Sequence, residues 1–340
     1  MIKALFKKSI KNIAFPILYS IGSDWILRKF SRYKRMVIMY HGVTATDCFK
    51  INGRHIPAKE FEKHLIYYKK YFNVVSLDKI YQMKYEDHNS KKPTVSLTFD
   101  DGFINNLDIA LPLLEKYNIP ATFFVTTAPI ENPDFILCSE LVELVCAFSE
   151  QTEVHMGNIV FRKQSKYRWI SEDGQSLYGF LRQHTLREKA RLVSQWKAKY
   201  GFDELIKKVD RQCYALMDEK QLKQLASSPM ATIGSHTHSH HMLTMLSDDE
   251  LNFELQHSKL LLEKTINKKV ESIAFPDGIY DKHVIDFCNQ QGYKNLIAVG
   301  LNEQKDRNTS YLVPRIGVSC TDGIAFNMLC INYFFNTHGF

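Results

Sequence analysis

What most constrains the fold of this chain is the regular exchange of short apolar runs for amphipathic helical stretches. RMVIMYHGV (35–43) is rich in Val, Ile and Tyr and is short, as a strand buried on both faces should be. AKEFEKHLIYYKKYF (58–72) then places Phe61, Leu65 and Tyr68 on one helical face. TVSLTFDDGF (94–103) reads as a strand ending in an acidic turn. A helix with Leu107, Ala110, Leu111 and Leu114 follows, then the strand ATFFVTT (121–127). The rhythm resumes later: DEKQLKQLA precedes ATIGSHT, DDELNFELQHSKLLLEKTI precedes VESIAFP, and DKHVIDFCNQQ precedes NLIAVG, with YLVPRIGV last. About seven strands alternating with helices predict an α/β chain, a distorted parallel (β/α)7 barrel; periodicity alone leaves an open parallel sheet as the alternative.

Residues 130 to about 217 break this rhythm. VHMGNIVFRKQSKYRWISEDG predicts a small strand pair and LREKARLVSQWKAKY a polar helix. This is an inserted subdomain, either a wall beside a site or a surface elaboration. The remaining organisation is a basic amphipathic extension (1–34), the barrel (35–320) and a C-terminal helix (321–340) containing Ile324, Met328 and Ile331.

Charge is concentrated at the start. Of 44 basic and 37 acidic residues, nine basic residues and one acid (Asp24) lie in residues 1–35. The body is therefore nearly neutral and has no charge excess for nucleic acid. Ile2, Leu5, Phe6, Ile10 and Ile13 share a face opposite Lys3, Lys7 and Lys11, and Pro16 interrupts the helix. The run AFPILYSIG is too short to span a bilayer, and no small-x-small cleavage site follows it. Residues 1–35 are read either as a peripheral anchor on an anionic membrane or as helix packed on the body. Seven scattered cysteines without a C-x-x-C pair argue against a disulfide framework and a cysteine zinc site, and favour a reducing compartment. With the basic amphipathic start and no cleavage site, the expected location is cytoplasmic, peripheral on the inner membrane face. No oligomeric state follows from the sequence.

Two motifs sit at strand ends. Asp100 and Asp101 close a buried strand at its carboxyl end, where sites form in parallel α/β folds; an Asp-Asp helix N-cap is the competing reading. GSHTHSHHML (234–243) holds four of the 13 histidines. On a helical turn His236 and His240 would share a face and a cation, while His238 and His241 would lie elsewhere as surface or packing residues. Two imidazoles and one carboxylate leave coordination positions open, the arrangement of a catalytic metal.

SLTFDDGF, IPATFFV, GSHTHSHHMLTMLSDDEL and IAFPDGIYD together resemble the polysaccharide deacetylases of carbohydrate esterase family 4 over roughly residues 35–320. The resemblance implies that Asp100 is the general base. It implies that Asp101, His236 and His240 bind a divalent metal, zinc first, with cobalt, nickel, iron or manganese as alternatives, and that Thr237 orients the loop. The general acid of most members, a histidine on a late strand, has no counterpart in NLIAVG or YLVPRIGV, and His338 lies in the terminal helix or tail. Deacetylases of poly-N-acetylglucosamine-type exopolysaccharides look like circular permutations in which the His41 strand comes first, which gives His41 the acid role; a strand-capping histidine is the alternative. The arginine common before the third-motif proline is replaced by Ala274 and Phe275. Arg315 either supplies that guanidinium to Asp100 or is an exposed or structural residue. Phe275 and Pro276 are expected to form a wall for a sugar ring.

The function expected from this resemblance is metal-dependent removal of N-acetyl groups from hexosamines of a bacterial surface polysaccharide or lipid-linked precursor. A weakly active or inactive glycan-binding protein, and a deacylase for a non-acetyl group such as formyl, are the alternatives.

Overall fold

The computed structural model describes residues 13–31, 34–83, 92–165, 168–302, 306 and 309–338. The run Ile2–Ile10, which carries most of the expected amphipathic face, lies outside them.

Seven parallel strands close on themselves: β1 (Arg35–Tyr40), β2 (Thr94–Phe99), β3 (Ala121–Val125), β4 (Ala231–Ser235), β5 (Ser272–Ala274), β6 (Asn295–Ala298) and β7 (Leu312–Gly317). Each pairs with the next in sequence, and β1 pairs with both β2 and β7, with Val37 opposite Ser96 on one side and Arg315 on the other. Closure is what distinguishes this barrel from the open sheet that the same periodicity allows. The two-residue strand Asn73–Val74 adds outside the closed ring along β2.

Side chains alternate across each strand, so one parity faces the barrel axis and the other faces the helices. Val37, Phe124, Ala274, Ile297 and Val313 form an inner cluster that the helix Leu77–Gln82 joins through Leu77 and Ile80. The opposite parity, including Ile38, Tyr40, Leu97, Phe99 and Phe123, belongs to the main core with the surrounding helices. Gly234 is on the inner parity because a Cβ there would lie 2.5 Å from the Phe124 ring.

The surrounding helices are α1 (Phe15–Ser20), α2 (Ser23–Ser31), α3 (Ala58–Tyr71), α4 (Leu111–Tyr117), α5 (Cys138–Phe148), α6 (Leu186–Tyr200), α7 (Glu219–Ser227), α8 (Asp248–Ile266), α9 (Lys282–Gln290) and α10 (Ile324–His338). Pro16 sits in the first turn of α1 rather than ending a helix, a position where its missing N–H is not needed. Helices α1 and α2 pack on α10 and α3: Phe15 meets the Phe326 ring at 5.0 Å, and Arg28 pairs with Asp24 beneath Tyr67. Among the described residues no helix is long and apolar enough to cross a membrane.

The interruption after β3 holds α5, α6 and a three-stranded antiparallel sheet (Glu153–Met156, Ile159–Ser165, Arg168–Ser171), one strand more than the expected pair. A disulfide joins Cys48, in the loop after β1, to Cys213 near the end of this segment. That corrects the expectation of no disulfide, because residues 165 positions apart in sequence are brought together only by the fold.

Candidate active site

The site forms at the carboxyl ends of the strands. Asp100 follows β2 on the inner parity of Thr98, and its backbone N–H donates to the Tyr40 carbonyl. Asp101 then takes a left-handed φ of 73°, which turns the chain so that its carboxylate enters the same cavity as that of Asp100. Gly102 continues the turn at φ 84°, where a Cβ would sit 3.0 Å from Val125. A turn with both acids buried and facing inward replaces the N-cap reading.

The histidine pair converges by a different route from the one expected. After β4 the chain is irregular, with Thr237 at φ 67° and His240 at φ 55°, so no helical turn spaces the imidazoles. The loop is fixed by hydrogen bonds instead. Thr237 N–H donates to Ser235 Oγ, His240 N–H donates to Thr237 Oγ1, and the buried Glu254 of α8 accepts from the N–H groups of His238 and Ser239. The Thr237 hydroxyl thus does orient the loop.

His236 Nε2 lies 3.5 Å and His240 Nε2 3.3 Å from Asp101 Oδ1. The Nδ1 of His236 is 2.8 Å from the Ala274 carbonyl, so Nδ1–H donates there and Nε2 faces Asp101. Asp101 Oδ1 is buried with no hydrogen-bond partner. An orphaned carboxylate oxygen facing two imidazole nitrogens is costly as it stands and fits a cation among the three.

Arg315 is fully buried and forks onto Asp100, with Nη1 2.6 Å from Oδ1 and Nη2 2.7 Å from Oδ2. It is neither exposed nor remote. Burial raises the Asp100 pKa, but the charges of Arg315 and His236 outweigh it and hold the carboxyl below its ordinary value. Asp101 is likewise driven well below that range, its burial overcome by His236 and His240. His236 is raised, because the two aspartates outweigh its burial. His41, at the end of β1, lines the same cavity, and burial lowers its pKa against the pull of Asp101 and Asp100.

The cavity is about 180 Å³ and is also lined by Arg54, Ser139, Tyr178, Phe275 and Asp277. Phe275 is among the lining residues. Pro276 is buried in a one-turn helix and is not among them, so the structure does not place it as a wall. Arg54 was not visible as a site residue in the sequence. It is held by Glu140 and, at 3.1 Å, by Glu143, both from α5, so the inserted segment both lines the cavity and orients a cation in it.

His238 and His241 leave the cradle. His241 is buried beside Lys189, while His238 turns outward to Glu131 and His257.

A family described as polysaccharide deacetylase matches residues 87–157 and 166–296, more than half of the chain. A Bacillus subtilis (strain 168) protein described as "Putative polysaccharide deacetylase YxkH" is 27% identical over 112 residues, 33% of this chain and 38% of that protein. The chain thus spans well under half the length of that curated relative. Among solved structures, the Streptococcus pyogenes deacetylase PplD in complex with acetate is similar with a TM-score of 0.56 at 19% identity, covering 87% of this chain and 97% of that one. IcaB from Ammonifex degensii gives 0.51 at 15% identity (89% and 97% covered). The de-N-acetylase from Aggregatibacter actinomycetemcomitans gives 0.52 at 18% (88% and 99%). These likenesses share the closed barrel.

Proposed function

Because the chain belongs to the polysaccharide deacetylase family, an N-deacetylase family of hydrolases acting on glycans, we propose that it removes N-acetyl groups from hexosamine residues of a bacterial surface polysaccharide or its lipid-linked precursor. The observation that carries this reading is the pairing of two differently held carboxylates. Asp100 is tethered at both oxygens by Arg315, while Asp101 keeps an unpartnered oxygen between His236 and His240.

Asp101, His236 and His240 would hold a divalent ion, zinc first by the fit to two imidazoles and a carboxylate, which when bound would supply a Lewis acid for the amide carbonyl and acidify a water. Asp100, ionised at neutral pH and fixed in direction by Arg315, is placed to take a proton from the attacking water. His41, at the end of β1 in the same cavity, is placed to donate a proton to the departing amine nitrogen. Arg54 offers a fixed positive charge to the acyl oxygen or to a substrate hydroxyl. Phe275 packs against a sugar ring. The bidentate Arg315–Asp100 contact supports a working enzyme over an inactive binding protein, since the positioning arginine missing from the third motif is supplied from β7.

The proposal extends to where the protein works. Ile17, Ile21, Trp25 and Phe30 of α1, α2 and the turn between them are exposed, with Lys29 over the Trp25 ring. Exposed apolar side chains amid the excess basic charge of residues 1–35 suit the surface of an anionic bilayer. The Cys48–Cys213 disulfide removes the cysteine argument for a reducing compartment, so the placement rests on this surface alone.

The test is acetate release from N-acetylglucosamine oligomers before and after chelation. Release that chelator abolishes and added zinc restores supports the reading; formate from an N-formyl substrate in its place moves the reading to another acyl group.

A further inference from the structure

A second group of ligating atoms lies outside the active-site cradle. Glu131 ends the helical turn after β3, His238 sits in the loop after β4, and His257 lies midway along α8. Glu131 Oε2 is 2.9 Å from His257 Nε2 and 3.8 Å from His238 Nε2, and the three ligating atoms all fall within 4.8 Å of one another. We propose that Glu131, His238 and His257 bind a second divalent transition-metal ion at the barrel rim, and that this ion ties down the loop carrying His236 and His240.

Four observations support it. Ligands at about 2.0–2.2 Å in a tetrahedral site stand about 3.3–3.6 Å apart. The rim distances, 2.9 and 3.8 Å, bracket that spacing, and the cradle's 3.3 and 3.5 Å lie on it. Orientation is already fixed: His238 Nδ1 shares a 2.9 Å hydrogen bond with the Thr127 hydroxyl, which occupies that nitrogen and turns Nε2 toward Glu131. The His257 ring is held by stacking on Phe253 at 4.7 Å, and Phe253 also meets the His238 ring edge-on at 5.3 Å. Finally, an ion can enter from solvent, since the side chains of Glu131, His257 and His238 are 48%, 32% and 15% exposed.

A hydrogen-bonded Glu131–His257 pair alone explains the 2.9 Å contact but not why His238 Nε2 is turned toward the same oxygen at 3.8 Å, beyond hydrogen-bond reach. Two imidazoles and one carboxylate select zinc, cobalt or nickel over magnesium or calcium. The three ligands come from the segments after β3 and β4 and from α8, so an ion there would cross-link all three. His238 is flanked in the chain by His236 and His240, and any restraint on it restrains them.

The test counts zinc per chain by elemental analysis on the metal-stripped, zinc-reloaded full-length protein, in wild type, Asp101→Ala, His257→Ala and Glu131→Gln. The expectation is two ions in wild type and one in each variant. A second zinc equivalent should raise the melting temperature of wild type and leave that of His257→Ala unchanged. Glu131 is exposed, so Glu131→Gln keeps the fold if His257→Ala does not. If His257→Ala and Glu131→Gln bind as much zinc as wild type, the rim site is overturned. If instead Asp101→Ala binds as much as wild type while His257→Ala loses one ion, the rim site stands and the assignment of the cradle falls, so the two proposals fail separately.

Discussion

Both carboxylate oxygens of Asp100 are gripped by the guanidinium of Arg315, which reaches across the barrel interior from β7 with contacts of 2.6 and 2.7 Å. The fork does two things. It fixes the direction of the carboxylate, and it keeps a fully buried acid ionised against the pull of desolvation.

Arg315→Lys keeps the charge but loses the planar fork, so it should fold and lower kcat about 10- to 100-fold, with a smaller change in KM. Arg315→Met leaves a buried carboxylate unpaired and should lower unfolding free energy by about 3–5 kcal/mol. Steady-state acetate kinetics and urea unfolding check the pair. Equal kcat for Arg315→Lys and wild type would remove the positioning role.

Glu254 accepts two backbone N–H donors and the Ser239 hydroxyl in the loop that bears both histidine ligands. Glu254→Ala should weaken zinc binding at the cradle about 10- to 100-fold, as loss of a supporting partner does elsewhere. Competition with a chromophoric chelator, performed in the His257→Ala background, measures it.

Acid should unfold the protein early. Burial lowers the pKa of His64 to about 3, and that of His55 to about 3 with Arg54 adding to the effect. An unfolded histidine takes up its proton near pH 6.5, whereas these two stay neutral in the native state until about 3. The stability this confers is therefore complete above about 6.5 and is lost as pH falls toward about 3, by up to a few kcal/mol per histidine. Urea midpoints between pH 7 and 4 test it, and the slope should decrease in His64→Gln.

Opening the Cys48–Cys213 disulfide releases a loop of 165 residues. Chain entropy alone predicts a loss of about 5 kcal/mol. Cys48→Ser with Cys213→Ser, compared with wild type with and without reductant, gives the value by urea unfolding.

Vesicles of phosphatidylglycerol should bind the protein and phosphatidylcholine vesicles should not, with binding reduced by salt. Trp25→Ala with Phe30→Asp should lower the bound fraction several-fold in a sedimentation assay, since both side chains are exposed (59% and 72%).

The barrel was legible because strands buried on both faces are written as uninterrupted apolar runs, as TVSLTF shows with every residue buried. The acidic turn and the histidine pair were legible as residue types at strand ends. Their geometry was not: left-handed backbone at Asp101, Thr237 and His240, none of them glycine, has no sequence signal and is what aims the ligands. Arg315 could be named but its two readings could not be separated, because only β1–β7 closure sets it beside Asp100. Arg54, Tyr178 and Glu254 went unnoticed, since each acts through a contact distant in sequence. The same holds for the disulfide. Pro276 is not among the cavity-lining residues, because a motif gives order along the chain and not which side chains reach the cavity.

The most direct test of the central claim is turnover of an N-acetylglucosamine oligomer by zinc-loaded protein, with Asp100→Asn alongside at equal zinc content. The account predicts acetate and free amine in equal amounts from wild type, and a fall of at least about 100-fold in Asp100→Asn with zinc still bound. Equal rates in the two proteins, or no acetate from any N-acetylated glycan with zinc in place, would contradict it.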